Sequence, residues 1–558
     1  MRTRLIIRIL LFMGPLLYAC RGCNPPEESV IVLSPEEMDA VVSDNLKNFT
    51  EYALANNGKL DDSTTLYLDT LTSQYYQSNG YKSVWSSKEQ MHPLADSLLD
   101  FVRRVKDYGL FPSEYHLIQI QNLHRRLSAD SLAMKDAVLW TRLDALSTDA
   151  FIRLLKDLKE SRMTPDSLSL ARQKSARDSF FYSKMNELFN EGGLTKVLEG
   201  VQPNLLPYQN LQKLVPSFVK EMDTTHYDFI PFPDKDSLGL IRNVYSRLLK
   251  AGFADSSSIT PDSAAFATAL KRYQAKMGLE ADGKLGKMTI GRLNQTDDRR
   301  FRMIALSLDK YRLRASMPQT YIWANIPSFR LDVWVDDTLR LQSRIVVGKP
   351  TTPTPTLVSG INNMVTFPIW TIPESIIKTE ILPQLRKDPG YLARKGYNLF
   401  TNKGDEVDPF SVDWSKYKNG IPWRIIQGSG DDNALGIFKF NFNNPFSVYL
   451  HDTNQRYLFG NANRALSHGC VRVQKWRELA DIIATRDSVL SAKTRLAYNM
   501  DSIKVWLGEG ARKTIYMKNR FPLYIDYFTC DDNNGKLGFY DDIYNEDALL
   551  IEKYFTAK

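Results

Sequence analysis

The hydrophobic pattern of this chain changes its period near residue 320, and this change constrains the fold more than any other feature. From about 46 to 225, apolar residues recur at helical spacing. One such stripe is Leu94, Leu98, Leu99, Phe101, Val102 and Val105. Beyond Tyr321 the pattern is that of strands, rich in aromatic and β-branched residues and punctuated by Pro327. A helical half followed by a mainly β half predicts a multidomain α+β protein, since 558 residues are too many for one core.

Two shorter segments stand out within these halves. Between 236 and 298 the pattern predicts three helices, with a stop at Gly252 and a turn at Asp282-Gly283. Between 374 and 425 the β half contains a polar insertion with a helical start and little strand pattern. We interpret the insertion as a cap over a site. The alternative is a surface insertion with no such role.

The N-terminus has the features of an export signal. A positively charged start precedes an apolar run, residues 9–19, which is too short for a comfortable membrane span. The run ends in Leu17-Tyr18-Ala19-Cys20, which resembles a bacterial lipoprotein cleavage box. We therefore expect a signal peptide over 1–19, a lipid on Cys20 and a tether over 20–45. Plain secretion and an uncleaved anchor are the alternatives.

Charge and cysteine content argue against two broad classes of protein. The net charge of +8 is small for this length and no long Lys/Arg run occurs, so a nucleic-acid partner is not supported. Four cysteines in an exported chain of this size do not form a disulfide framework. With Cys20 lipidated, the thiols left are Cys23, Cys470 and Cys530, and we expect Cys530 to be buried packing.

Reactive side chains concentrate between Tyr449 and Val473. This segment holds His451, His468 and Cys470, whereas the remaining histidines lie in the helical half. A neighbouring histidine can take the proton of a thiol, and the thiolate then attacks carbonyl carbon. The pattern favours cysteine nucleophilic catalysis.

Neighbouring residues fit this chemistry and also leave alternatives open. Gly469 permits a tight turn whose backbone N–H groups could form an oxyanion hole, and Arg472 could bind a carboxylate or hold the loop. A zinc site built from the two histidines, Cys470 and Asp452 is one alternative. An inert buried cysteine is another.

The motif Ser467–Val473, SHGCVRV, resembles the signature of the L,D-transpeptidases, the YkuD-type catalytic domain. His451-Asp452-Thr453 resembles the first histidine motif of that family, and its separation from Cys470 suits the long-chain Gram-negative members. The text YQAKMGLEADGKLGKMTIGRLN, from Tyr273, resembles a small helical peptidoglycan-binding domain. Further matching segments are Asn325–Pro327, Val346–Pro350, Trp370–Ile376, Asn433–Gly436 and Phe539–Tyr544.

The resemblance implies an order of domains along the chain. The domains are a helical scaffold over 46–235, a peptidoglycan-binding domain over 236–298, a linker helix over 299–319, a catalytic domain over 320–530 with its cap at 374–425, and a C-terminal extension over 531–558.

The resemblance also implies roles for site residues. Cys470 would be the nucleophile and His451 the proton donor and acceptor, with no metal and no cofactor. The supporting residues would be His468, Gly469, Ser467, Arg472 and Asp452, the last with orientation of His451 as one possible role. Tyr449 and Trp370 are expected to form a substrate wall, with ordinary core packing as the alternative.

The implied reaction is a ping-pong acyl transfer. Cys470 attacks the third residue of a tetrapeptide stem, D-Ala leaves, and a side-chain amine of a second stem completes a 3-3 cross-link. Water as acceptor would give L,D-carboxypeptidase activity, and a free D-amino acid would give exchange. Carbapenems are expected to acylate the same cysteine. The expected setting is a periplasmic monomer held at a bacterial membrane by its lipid, with peptidoglycan stems as partners. A non-catalytic peptidoglycan-binding lipoprotein and a metallohydrolase are the alternatives.

Overall fold

A computed structural model describes residues 28–61, 64–164, 175–255, 262–277, 279–314, 316–491 and 498–555. The predicted signal peptide, Cys20 and Cys23 lie outside these residues. No helix within the described ranges has the length and apolar character needed to cross a membrane. The chain divides into two compact units, one of residues 1–105, 110–159 and 176–202, the other of residues 106–109, 160–175 and 203–558.

The first unit is helical. Its helices are α1 (Pro35–Ala55), α2 (Asp69–Ser78), α3 (Pro93–Arg103), α4 (Leu117–Ala129), α5 (Ala137–Glu160), α6 (Asp178–Glu191) and α7 (Leu194–Gly200), and its one short hairpin within the described residues pairs β1 (Ser86–Ser87) with β2 (Gln90–Met91). Helix α5 carries three buried carboxylates, Asp144, Asp149 and Asp157. Asp144 accepts from the Tyr76 hydroxyl at 2.7 Å, and Asp149 is hydrogen-bonded to the His116 ring at 2.7 Å. Helix α1 begins at Pro35, so the predicted tether is wrong for residues 35–45.

The second unit opens with helices α8 (Leu206–Glu221), α9 (Ser237–Lys250), α10 (Ser263–Lys276), α11 (Lys287–Leu293) and α12 (Asp297–Arg312). Helices α9 to α11 share a small core of their own, in which Val244, Leu248 and Leu270 are fully buried. The Gln274 side chain holds the turn after α10, because it accepts from the Gly283 N–H at 2.8 Å and donates to Asp282 at 2.9 Å.

The β half is a nine-stranded sheet in the order β13-β5-β14-β12-β11-β6-β15-β3-β4, and β4 also pairs with β5, so the sheet closes on itself. Its strands are β3 (Tyr321–Asn325), β4 (Arg330–Val335), β5 (Thr338–Gly348), β6 (Leu357–Thr366), β11 (Phe438–Phe442), β12 (Leu450–His451), β13 (Ala465–Ser467), β14 (Val471–Val473) and β15 (Thr514–Asp526). Apolar side chains on alternate positions build one core, against which helices α16 (Trp476–Leu490) and α17 (Met500–Gly508) pack.

The insertion has secondary structure that its sequence pattern does not show. Strands β7 (Trp370–Thr371), β8 (Tyr397–Phe400), β9 (Glu406–Val407) and β10 (Arg424–Gln427) form a separate four-stranded sheet. Helices α13 (Glu374–Ile376), α14 (Leu382–Leu385) and α15 (Tyr391–Arg394) and a π-helical turn, Ile377–Ile381, complete it. The insertion therefore contains strands although its sequence has little strand pattern, and it has a hydrophobic core that includes Leu382, Leu385 and Leu392.

The C-terminal residues fold back on the second unit. Strand β16 (Cys530–Asp532) pairs with β17 (Leu537–Phe539), and helix α18 (Glu546–Phe555) follows. Cys530 is fully buried, as predicted, and burial raises the pKa of its thiol well above the ordinary value.

Candidate active site

Cys470 lies at the start of β14, in a loop fixed by short polar contacts. The Ser467 hydroxyl donates to the Cys470 carbonyl at 2.6 Å and accepts from the Gly469 N–H at 3.1 Å. The Thr354 hydroxyl donates to the Gly469 carbonyl at 2.8 Å. Gly469 has φ +115°, a conformation that side-chain-bearing residues rarely adopt. The loop therefore needs a glycine immediately before the cysteine, and it uses the Gly469 N–H internally, so this group is not free as an oxyanion donor.

The register of two neighbouring strands, β12 and β14, brings the predicted residues to one face. Leu450 pairs with Val471 and His451 with Arg472 across the parallel strands β12 and β14. Leu450 and Val471 point into the core, so Tyr449, His451, Cys470 and Arg472 alternate onto the opposite face. The Tyr449 and His451 ring centroids are 5.5 Å apart.

His451 is buried, and backbone carbonyls determine which of its nitrogens carries the proton. Its Nδ1 is hydrogen-bonded to the Asp452 carbonyl. A carbonyl only accepts, so Nδ1 is the protonated nitrogen, and Nε2 of the neutral ring carries the free lone pair. Burial, with the nearby Arg472 charge, lowers the pKa of His451 to about 3. The imidazole is therefore neutral at physiological pH.

The thiol of Cys470 lies in a partly buried environment with several donors around it. Burial raises the pKa of Cys470, and the backbone N–H and hydroxyl of Tyr449 and the charges of Lys439 and Arg472 act in the opposite direction. Raised thiol and lowered imidazole pKa values favour a neutral pair over a thiolate–imidazolium pair. Proton transfer to His451 would then accompany nucleophilic attack.

Asp452 does not orient His451 through its carboxylate. Its side chain is buried and accepts from the Ile437 N–H at 3.1 Å and from Arg456 at 2.8 Å. Gly436 lies against it, and a Cβ added there would be 2.3 Å from the Asp452 Oδ2 atom. The orienting group on His451 is the backbone carbonyl of Asp452, so the suggested role of the side chain is wrong.

His468 faces the insertion. Its Nε2 is 2.5 Å from Glu380 of the π-helical turn, and Lys349 lies 3.8 Å from the same carboxylate. The Arg472 guanidinium donates to the Gln455 side chain at 2.7 Å, so it holds a neighbouring loop rather than a carboxylate within the described residues.

The two predicted wall residues lie next to each other. Trp370 and Cys470 both lie close to the Tyr449 hydroxyl and affect its pKa, which burial raises far above its ordinary value. Trp370 also packs edge-on against Tyr397 of the insertion, with ring centroids 6.2 Å apart. The insertion sheet therefore reaches the cysteine through Trp370 and Tyr449.

A cavity of about 720 Å³ opens between the insertion and the catalytic loops. Side chains of both signs line it, among them Glu380, Lys395, Asp432, His468 and Arg472. Its volume is in the range of small-molecule and peptide-sized sites. In the described part of the chain, no group of three or more His, Cys, Asp or Glu side chains is arranged to hold a metal ion.

Sequence reasoning missed three residues of this site: Thr354, Glu380 and Lys439. Thr354 lies four residues beyond the recognised Val346–Pro350 segment, and Glu380 lies in the insertion, which offered no motif. Lys439 pairs with His451 in register across β11 and β12. Lys439 could have been identified only from the register of β11 and β12, which cannot be read from the order of residues in the sequence.

Comparisons with known proteins match two parts of this chain. Residues 319–490 match the YkuD family, described as the L,D-transpeptidase catalytic domain, and residues 70–214 match a scaffold domain. The two matches confirm the predicted L,D-transpeptidase resemblance and the helical-then-β architecture. A putative L,D-transpeptidase of Haemophilus influenzae is 35% identical over 247 residues, covering 44% of this chain and 48% of the relative, so the match spans about half of that protein.

Solved structures with low overall similarity also match. One is the catalytic domain of an Enterococcus faecium L,D-transpeptidase acylated by ertapenem, 14% identical, covering 38% of this chain and 99% of that chain, with a TM-score of 0.16. Another is a Cys-to-Ser mutant of the Enterococcus faecium L,D-transpeptidase, 14% identical, covering 42% and 64%, with a TM-score of 0.15. Scores this low carry no argument about the present chain.

Proposed function

We propose that this protein cross-links peptidoglycan stems through a thioester on Cys470, a proposal supported by the match of residues 319–490 to the L,D-transpeptidase catalytic domain. One observation carries the proposal. A partly exposed thiol lies on the same sheet face as a buried, neutral histidine whose Nε2 can accept a proton.

The first half-reaction forms the acyl-enzyme. The Cys470 sulfur attacks the carbonyl carbon of the third residue of a tetrapeptide stem while His451 Nε2 takes the thiol proton. The Cys470 N–H is the candidate donor to the resulting oxyanion, because the Gly469 N–H is already bonded to Ser467. His451 returns the proton to the nitrogen of the terminal D-Ala as the C–N bond breaks.

The second half-reaction transfers the acyl group. The side-chain amine of a diamino acid on a second stem attacks the thioester carbon, His451 accepts one amine proton, and the Cys470 sulfur leaves. The product is a 3-3 cross-link and the thiol is regenerated. Water in place of the amine would give the L,D-carboxypeptidase product from the same intermediate.

Intact mass spectrometry tests the acyl-enzyme directly. Purified protein mixed with a tetrapeptide muropeptide should gain the mass of the donor minus D-Ala, and Cys470→Ala should gain nothing. Cys530→Ala is the matched control, since this buried thiol should leave the adduct unchanged. Folded, reduced protein that forms no adduct and releases no D-Ala would favour the non-catalytic peptidoglycan-binding alternative. A carbapenem offered in place of the stem should label the same residue.

The insertion is proposed to act as a cap that excludes water from the thioester. Its ends are adjacent, because Thr371 pairs with Ile426 across β7 and β10. The segment between them can therefore be replaced by a two-residue Asn-Gly turn, which suits such a hairpin. In this variant we expect the ratio of hydrolysis product to cross-linked product to increase. An unchanged ratio of the two products would contradict the cap role.

The membrane anchor and the wall-binding unit are proposals of the same kind. A lipid on Cys20 would hold the enzyme at a periplasmic membrane surface, and residues 236–298 would bind peptidoglycan. Incorporation of a labelled fatty acid that disappears in Cys20→Ala would support the anchor. Equal incorporation in both proteins would count against it.

A further inference from the structure

A row of basic side chains crosses three strands at His451. Lys439 of β11 pairs with His451 of β12, which pairs in turn with Arg472 of β14. Register partners point to the same side of a sheet, so the two cations flank the histidine. The next residue in register beyond Lys439 is Val365, and the next beyond Arg472 is Val346. Neither valine carries a charge that could balance the two cations.

Lys439 is held on the ring of Tyr449. Its Nζ is 3.8 Å from the ring centroid, within the range of a cation–π contact. Phe438 and Phe440, on either side, are fully buried in the core, so strand alternation directs Lys439 to the opposite face. The hydroxyl of the same tyrosine lies close enough to Cys470 for each group to affect the pKa of the other.

Keeping this ammonium partly buried is costly. Lys439 is half-buried, and within the described residues neither a carboxylate nor a side-chain hydrogen bond acts on its ammonium group. Burial lowers the pKa of Lys439, the expected sign for a desolvated ammonium. A cation without a counter-ion can stabilise a negative charge that forms transiently beside it. Cys470 is the neighbouring group that can become an anion.

We propose that Lys439 is a positioning residue whose ammonium, seated on the Tyr449 ring, stabilises the anionic Cys470 sulfur and disfavours a proton on His451. The ionisable groups that act on the sulfur are Tyr449, just before β12, Lys439 from β11 and Arg472 from β14. His451 of β12 lies in register between the two cations. The inference rests on the proposed function only for the role of Cys470 as nucleophile.

Alkylation of Cys470 by iodoacetamide, followed across pH by peptide mass, measures its thiolate without any stem peptide. In full-length Lys439→Met, which keeps the length and apolar stem of the side chain, the midpoint should rise by about one pH unit. At pH values below the midpoint the rate should therefore fall about tenfold. Lys439→Arg restores the positive charge and should restore the wild-type profile. Lys475→Met, at an exposed lysine just beyond β14, should leave the profile unchanged.

Three results would overturn the proposal. One is a Lys439→Met alkylation profile identical to that of wild type. If the turnover of stem peptides nevertheless fell in this variant, Lys439 would be a substrate contact and would not act on the thiol. Another is a failure of Lys439→Arg to restore the profile. The third is loss of the cooperative thermal transition in both variants, which would make Lys439 a structural residue. A shifted profile in Lys439→Met, with no acyl-enzyme formed by wild type, would uphold this inference while refuting the proposed function.

Discussion

Acid should destabilise this protein through one buried side chain, His451. Its pKa is lowered from 6.5 to about 3, first by burial and then by the nearby Arg472 charge. In the unfolded chain the same imidazole binds a proton below pH 6.5, whereas in the folded protein it stays neutral down to about pH 3. The histidine therefore contributes no penalty above pH 6.5, and folding free energy is lost progressively as pH falls from 6.5 towards 3.

The size of this effect follows from the pKa difference. At pH 4.5, two units below the unfolded pKa, the unfolded state gains about 2.7 kcal/mol, because each pH unit is worth about 1.36 kcal/mol. The full difference is on the order of 5 kcal/mol, reached near pH 3. His451→Gln cannot titrate in this pH range. It should lose about 2.7 kcal/mol less stability than wild type between pH 7.5 and pH 4.5.

Urea unfolding followed by tryptophan fluorescence at the two pH values measures this difference. The chain has two compact units, so the relevant transition is the one whose midpoint moves when His451 is replaced. His226→Gln is the matched control, because that histidine is 90% exposed. Equal acid losses in wild type and His451→Gln would refute the reasoning. So would an imidazole NMR signal of His451 that titrates near pH 6.5.

Three further substitutions test the geometry of the site and its support. Gly469→Ala forces a side chain into the φ +115° conformation, at a cost of about 1–3 kcal/mol, and should slow acylation of Cys470 at least about tenfold in a time-resolved mass assay. Gly436→Ala places a Cβ 2.3 Å from Asp452 and should lower the free energy of unfolding by about 1–3 kcal/mol. Asp526→Asn leaves the buried guanidinium of Arg314 without its 2.8 Å carboxylate and should cost about 3–5 kcal/mol in urea unfolding.

Local motifs predicted the site where a few consecutive residues define it. Ser467, Gly469 and Cys470 lie in one loop, and their contacts follow from the turn that the glycine permits. His451 was also predicted, because His451-Asp452-Thr453 resembles the first histidine motif of the L,D-transpeptidase family. Lys439 was not, since its place beside His451 depends on how β11 aligns with β12. A one-residue shift in that alignment would turn its side chain into the core.

Strands of the insertion escaped prediction for a related reason. Strand β7 has two residues, and its partner β10 begins more than fifty positions later, at Arg424. Neither strand is long enough for an alternation of apolar and polar residues to be recognised among the polar residues around it. The pairing is stabilised by the small core around Leu382, whose members are scattered along the segment.

Helix α12 shows how charge can conceal burial. Its last two turns contain Asp309, Lys310 and Arg312, a composition typical of an exposed linker, yet all three are buried. Lys310 pairs with Asp547 of helix α18, and Arg312 pairs with Asp309 at 2.7 Å. Separating α12 from α18 would break the Lys310–Asp547 pair and leave a buried charge without its partner, so this contact penalises any arrangement in which the two helices come apart. The segment predicted to connect two domains is thus an integral part of the unit that carries Cys470.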